Sequence, residues 1–308
     1  QSTDLIIPLS LDASTGSTST TVNVAEVTNK GVELGLNVTP LRTDDLYLNI
    51  GWNFTKNTNT VEALRDGTEE LLIDGLSFLG NFAIPGSPYG VIKGTQIVRD
   101  EATGRPIVGS DGLYQQASEE GVIGDPNPDY LLSTNGTIAY KGLALRVQFD
   151  YRRGGDIWAS TPSTLFSRGI LQESGEFDRF VPIIVPGLIE DSEGNLVENT
   201  VQNTPNDHFW RDAGVFYDEN RMFDGTNLRL REISLAYSFP KSVIENTPLG
   251  GLDLILSGQN LWYKSFNIPE GANFDPEVLS LGVGNGQGFD FVTGPTSKRW
   301  GGTIRLTF

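Results

Sequence analysis

The stretch LALRVQFDYR, residues 143–152, places Leu143, Leu145, Val147, Phe149 and Tyr151 on one side of an extended chain and Ala144, Arg146, Gln148, Asp150 and Arg152 on the other. Successive side chains of a strand point to opposite faces, so the stretch reads as a strand with one apolar and one polar face. The polar face carries full charges and therefore meets water. The strand divides a wet side from a dry one.

The same alternation recurs on either side of it. Upstream, VELGLNVTP aligns Val32, Leu34, Leu36 and Val38, and DLYLNIGWNF aligns Leu46, Leu48, Ile50, Trp52 and Phe54. Downstream, EISLAYSFP aligns Ile233, Leu235, Tyr237 and Phe239, but Leu228 and Leu230 fall in the opposite phase, which predicts a bulge near Arg231. LDLILSGQNLWY aligns Leu252, Leu254, Leu256 and Trp262 against Asp253, Ser257 and Gln259, with Ile255 and Leu261 breaking the pattern. The closing RWGGTIRLTF, residues 299–308, sets Trp300, Ile304, Leu306 and Phe308 opposite Thr303, Arg305 and Thr307. A weaker strand over 129–140 and a stub at 4–9 bring the set to about eight. Each is near the roughly 9 to 11 residues that a tilted membrane-spanning strand needs.

Short and long connections alternate between these strands. The short ones are residues 40–44, Lys141–Gly142 and 240–251; the long ones are roughly 10–30, 57–127, 156–226 and 264–294, rich in Gly, Pro, Asn and Asp. An all-β antiparallel meander with apolar faces, trimmed on one rim and elaborated on the other, is the layout of a transmembrane β-barrel. Lipid admits closed barrels because unpaired backbone groups there cost several kcal/mol each. Trp52, Phe54, Tyr151, Tyr237, Phe239, Trp262 and Trp300 suit interfacial girdles. A soluble β-sandwich shares the alternation but seldom carries loops of about 70 residues.

Composition excludes several function classes. With 39 acidic against 22 basic side chains the net charge is −17, so there is no basic footprint for nucleic acid. The absence of cysteine and a single histidine, His208, remove thiol nucleophiles, zinc fingers and histidine-based metal sites. No cofactor is implied. Asp100, Glu101, Asp111, Asp191, Glu193 and Asn195 lie in acidic loops that lack calcium-loop spacing, and Asp150, Asp156, Glu232 and Asp275 form no local catalytic signature, so neither a metal nor an enzyme is expected.

Residues 23–40, 124–158, 228–240, 256–262, FDPEV at 274–278 and the final RWGGTIRLTF, in this order, resemble the C-terminal barrel region of SusC/RagA-type TonB-dependent transporters of Bacteroidetes. The resemblance implies a 22-stranded outer-membrane barrel importing glycans or oligopeptides, with a plug inside, a SusD-like lipoprotein as lid and a TonB complex acting through an N-terminal part. The chain shows no plug, TonB box or early strands, so residues 1–308 are expected to be the last third of such a barrel. A barrel fragment held as client or cargo of an insertion or secretion complex is the alternative.

Arg146, Gln148, Asp150, Arg152, Glu232 and Asp253 are the candidates for lining a water-filled lumen, the alternative being that they solvate the wall and pair with one another. Trp158, Trp210, Tyr217 and Phe274 are candidates for stacking on a solute or a lid, the alternative being packing within their loops. Trp300, Ile304, Leu306 and Phe308 look like the C-terminal signal read by barrel-assembly machinery; the alternative makes Phe308 one more girdle aromatic facing outer-membrane lipid. FDPEV and GDPNPDY read as turns with an architectural role.

Overall fold

The structure, a computed structural model, describes residues 2–308 apart from 11–13, 15, 17, 18, 66, 177, 209–216, 270, 273, 278, 279, 281–284 and 295; for 2–10, 19–24 and 173 it describes the backbone alone. Eight strands form one antiparallel sheet in chain order: β1 (Ser2–Ser10), β2 (Ser19–Arg42), β3 (Leu46–Leu64), β4 (Pro128–Tyr140), β5 (Leu143–Gly154), β6 (Asn227–Ser238), β7 (Gly251–Ser265) and β8 (Arg299–Thr307). Among the described residues β1 and β8 are each paired on one side only, and no helix is long and apolar enough to cross a membrane.

Local chemistry sets the register. Lys141 and Gly142 turn β4 into β5 with φ of 46° and 88°, the two positive values that a two-residue hairpin turn requires. A side chain at position 142 would also meet the Ser238 carbonyl at 2.7 Å, so glycine serves the turn twice. The expected bulge is present: pairing passes from Leu230–Trp262 to Glu232–Gln259, leaving Arg231 opposite Asn260 and Leu261. Asn260 adopts φ of 51°, and this double irregularity is why Leu261 broke the alternation of β7. The bulge keeps Leu228 and Leu230 on the apolar face, opposite Tyr151 and Phe149.

One expectation is corrected. The long connection foreseen at 10–30 is largely strand, since β2 begins at Ser19 and pairs without a break from Val27–Val61 to Val38–Ile50. Thr28, Asn29 and Lys30 face Thr60, Asn59 and Thr58. These polar residues read as loop because neither face is apolar, but a ladder beyond the dry zone needs only backbone bonds.

The apolar face crosses every fully described strand. Leu36, Trp52, Thr134, Phe149, Leu230 and Trp262 occupy one row, and Asn37, Gly51, Asn135, Gln148, Glu232 and Gln259 the adjoining row of the other face. Leu36 is 58% exposed, Leu256 56% and Ile304 66%, so among the described residues this face meets no protein partner. Its apolar run on β3, Leu46 to Phe54, matches the roughly 9 residues of a tilted membrane strand. At the long-loop end Phe54, Tyr130, Tyr151 and Phe266 form a chain of ring contacts at 5.5, 5.9 and 6.2 Å. At the short-turn end Tyr237 and Phe239 meet at 4.9 Å. The run's upper limit descends across the sheet: counted along β5, Phe54 lies in the row of Tyr151, Trp262 in the row of Phe149 and Trp300 in the row of Val147. About 13 Å of descent over about 24 Å of sheet corresponds to strands tilted by roughly 30°, close to the inclination of barrel walls.

The long connections were expected to be irregular and instead build their own layer. Leu71–Leu76, Leu79–Ala83, Val91–Gly94 and Gly121–Gly124 form a four-stranded sheet, and Asp156–Ala159 pairs with both Met222–Asp224 and Phe289–Asp290. Leu79, Ile92, Trp158 and Phe289 form a buried cluster there, and Ile157, Ala159, Ala272 and Phe274 a second. The cores of the molecule lie mostly in this layer.

Candidate functional site

The polar face of the wall meets the loop layer along a charged seam. Arg229 lies on β6 opposite Asp150 and Tyr263, and the adjacent bulge brings Arg231 to the same side. From the segment between β7 and β8, residues 274–277 descend onto them. Arg229 is fully buried and pairs with Asp275, which is also buried, while its Nε lies 3.1 Å from Glu277 and its guanidinium 4.8 Å from the centre of the Tyr263 ring. Arg231 donates both Nη atoms to Glu277 at 2.8 Å and its Nε to Asp150 at 2.7 Å. Asp150 also accepts from Ser133 at 2.8 Å, and Asp275 accepts from the Thr296 hydroxyl at 2.5 Å. Burial alone would raise the Asp275 carboxyl, but hydrogen bonds from Arg229 and Thr296 outweigh it and hold the group below the ordinary carboxylate range. Two arginines and three carboxylates thus lock the returning segment to the wall.

The six lumen candidates share this face by register, and they divide by environment. Asp150 belongs to the seam. Arg152 donates to the carbonyls of Gly154 and Pro126 at 3.1 and 2.9 Å, fixing the approach to β4. Gln148 faces Glu232 across the β5–β6 pair and donates to Asp150 at 3.3 Å. Arg146 sits between Thr137 and Ser234, and Asp253 between Ser238 and Arg305.

The stacking role anticipated for the loop aromatics is corrected for the three that are described. Trp158, Tyr217 and Phe274 are 2%, 4% and 3% exposed. The Trp158 indole donates to Asp218 at 3.0 Å and lies under the Arg221 guanidinium, Tyr217 donates to the Tyr114 carbonyl at 2.5 Å, and Phe274 packs on Phe223 with ring centres 5.4 Å apart. They hold the loop layer together because its cores need large rings. Trp210 lies outside the described residues. Trp300 (78% exposed), Ile304 (66%), Leu306 (48%) and Phe308 (85%) are open to solvent along the edge strand.

The acidic loops serve their own turns. Asp191 accepts from the amides of Asn195 and Glu193 at 2.9 Å, and Asp100 from the Thr103 hydroxyl and amide at 2.5 and 3.0 Å, which lowers both carboxyls. Among the described residues no group of three potential ligands converges on a metal position. Asp156 is raised by burial and by nearby Asp224, Asp125 and Asp129, and its Oδ2 accepts the Asp125 amide at 2.9 Å.

Sequence reasoning passed over the seam's principal members, Arg229, Arg231 and Glu277, and assigned FDPEV to a turn alone. The signal was present as two matched pairs of alternate residues, R-x-R beside the bulge and D-x-E in FDPEV. A cavity of about 360 Å³ in the loop layer was also not foreseen; Phe166, Leu171, Phe223, Ser163, His208 and Asn220 line it.

No protein-family profile matches the chain. It is 26% identical over 298 residues to TonB-dependent receptor P3 of Formosa agariphila, covering 89% of this chain and 28% of the receptor. It is 27% identical over 331 aligned positions to TonB-dependent receptor P26 of the same organism, covering 99% and 31%. Its fold superimposes on the RagAB peptide importer in the closed-closed state with a TM-score of 0.69 at 20% identity, and in the open-open state with 0.65 at 19%, covering 99% of this chain each time and 32% and 31% of those chains. The chain spans about a third of the length of these proteins. The sheet is a segment of a transmembrane antiparallel β-barrel, and the resemblance to SusC/RagA-type receptors holds in both sequence and fold.

Proposed function

Starting from a chain that shares sequence and fold with SusC/RagA-type TonB-dependent receptors, we propose that residues 1–308 form the C-terminal part of the barrel of an outer-membrane importer, driven by TonB through a plug and covered by a SusD-like lipoprotein. The observation that carries this reading is the two-faced wall: an apolar belt bounded by touching aromatic rings on one side, and on the other a polar face to which the loop layer is ion-paired. A large hydrophilic nutrient, glycan or oligopeptide, is the solute class for such a lumen, and the polar residues Arg146, Gln148, Glu232 and Asp253 are the side chains it would pass. The long-loop rim faces the outside, and β8 supplies the edge recognised by assembly machinery during insertion.

The test uses the intact receptor that contains this chain, in cells with and without functional TonB. Uptake of labelled oligopeptide or oligosaccharide pools that depends on both receptor and TonB is expected, together with co-purification of a surface lipoprotein. Recovery with assembly factors alone, and no TonB-dependent uptake, would instead favour a client of an insertion complex.

A further inference from the structure

The apolar runs of four strands end in the same way at the long-loop rim. Two residues beyond the last apolar side chain within each strand, on the same face, stands a cation: Lys30 beyond Val32, Lys56 beyond Phe54, Arg153 beyond Tyr151 and Lys264 beyond Trp262. The ladder has no break between either residue of any pair, so the two-residue period fixes the face. All four are exposed. Among the described residues no ion pair engages Lys30, Lys56 or Lys264, whereas Arg153 shares its charge with Asp129 at 3.9 Å. The Lys264 ammonium lies 5.6 Å from the centre of the girdle ring Phe266.

This band runs against the composition of the chain. With 39 acidic and 22 basic residues, any surface drawn at random would carry nearly two acids for each cation. The short-turn rim is mixed, its Lys141 lying 3.8 Å from Asp45. Lysine and arginine at a membrane boundary extend their stems along the apolar surface and hold the charge at headgroup level. Adjacent strands lie about 4.8 Å apart and alternate residues rise about 7 Å, so neighbouring cations of the band are roughly 8 to 12 Å apart.

We propose that this band binds the phosphorylated headgroups of lipid in the leaflet at the long-loop rim, with the acyl chains lying on the apolar face below. Charge complementarity selects the occupant: unpaired cations just beyond an aromatic girdle meet headgroups, and phosphate is the headgroup anion that lysines hold as point charges. The inference rests on the membrane placement proposed above.

The experiment takes the intact receptor, purified from the outer membrane in mild detergent, and titrates it with diphosphorylated lipid A, its dephosphorylated form and phosphatidylethanolamine, with native mass spectrometry reading bound lipid. Lys56→Gln with Lys264→Gln is expected to weaken diphosphorylated lipid by about fivefold per lysine, with little change for the dephosphorylated lipid. Lys56→Arg with Lys264→Arg is expected to retain binding, and Lys141→Gln on the opposite rim to leave it unchanged. Wild-type binding by the double glutamine variant, an equal loss for the dephosphorylated lipid, or an equal loss in Lys141→Gln would overturn the proposal. Recovery of the wild-type receptor outside the outer-membrane fraction would overturn the membrane placement itself.

Discussion

The wall and the loop layer use apolar side chains in opposite ways. In the wall, Leu34, Leu36, Leu256 and Ile304 are each more than half exposed, although they sit in regular hydrogen-bonded strands. In the loop layer Ile92, Ile157 and Phe289 are at most 1% exposed, although the strands that carry them have two to four residues. In the outer-membrane placement proposed above, lipid is the apolar partner of the first region, and the sheet needs no protein core of its own. Water surrounds the second, so small sheets pile onto rings such as Trp158 and Phe289 to hide them. Regularity is thus no measure of burial here. The seam of Arg229, Arg231, Asp275 and Glu277 is where the two regimes are fastened together.

The comparison breaks first at that seam. Asp275→Asn removes the charge that compensates buried Arg229, and a loss of about 3 to 5 kcal/mol is expected, read as a fall in denaturant midpoint in detergent with faster hydrogen exchange over 266–298. Combining Arg229→Met with Asp275→Leu should restore most of it, because apolar replacement of a buried pair is often neutral. A small effect of Asp275→Asn alone would mean that the loop layer is held elsewhere.

The two faces of the wall come next. Val147→Arg places a charge on the apolar face and is expected to cost about 2 to 4 kcal/mol near mid-membrane, while Gln148→Arg on the polar face should cost much less. Equal tolerance, measured by unfolding from lipid, would remove the assignment of faces.

Acid offers a milder probe of the same fastening. The Asp275 carboxyl is lowered in the folded state, so its contribution is fully present above the unfolded value near 3.9 and is lost as pH falls through the lower folded value. Protection factors over 266–298, with each exchange rate normalised to the intrinsic amide rate at that pH, should be unchanged from pH 7 to about 5 and should fall below about 4. A fall already between 7 and 5 would point to another group.

The smallest effect on stability is expected at the chain's last residue. Phe308 is 85% exposed, so its deletion from the intact receptor should leave heat resistance near normal. If β8 acts as an insertion signal by edge pairing, the amount reaching the outer membrane should fall. Normal insertion with weakened resistance would return Phe308 to the girdle.

The wall was legible because its physics is periodic. An apolar face on one side and a polar face on the other force a two-residue pattern, and even the bulge at Arg231 announced itself as a phase error between Leu230 and Ile233. What escaped was structure without a solvent boundary. Around Thr28, Asn29 and Lys30 the β2–β3 ladder carries polar side chains on both faces, so there was no alternation to read. The burial of Trp158, Tyr217 and Phe274 depends on contacts between segments about 50 to 130 residues apart, such as Phe274 with Phe223 and Trp158 with Phe289. Local pattern contains nothing of such contacts. The seam lay between these cases, its halves visible as R-x-R and D-x-E but their meeting decided by the path of the chain.

The bulge at Arg231 makes β6 a strand written in two reading frames. Below it, even-numbered residues such as Glu232 and Ser234 face the polar side; above it, the odd-numbered Arg229 does. Straightening the strand with residue 231 kept in the ladder would run a single frame through and invert everything above the join, turning Arg229 to the apolar side and Leu228 and Leu230 to the polar one. Removing residue 231 would instead set Leu230 directly beside Glu232 in regular alternation and leave both faces as they are. A one-codon deletion there would therefore erase the bulge and the Arg231 ion pairs with Asp150 and Glu277 without reversing the strand. What the extra residue adds is a cation at the seam.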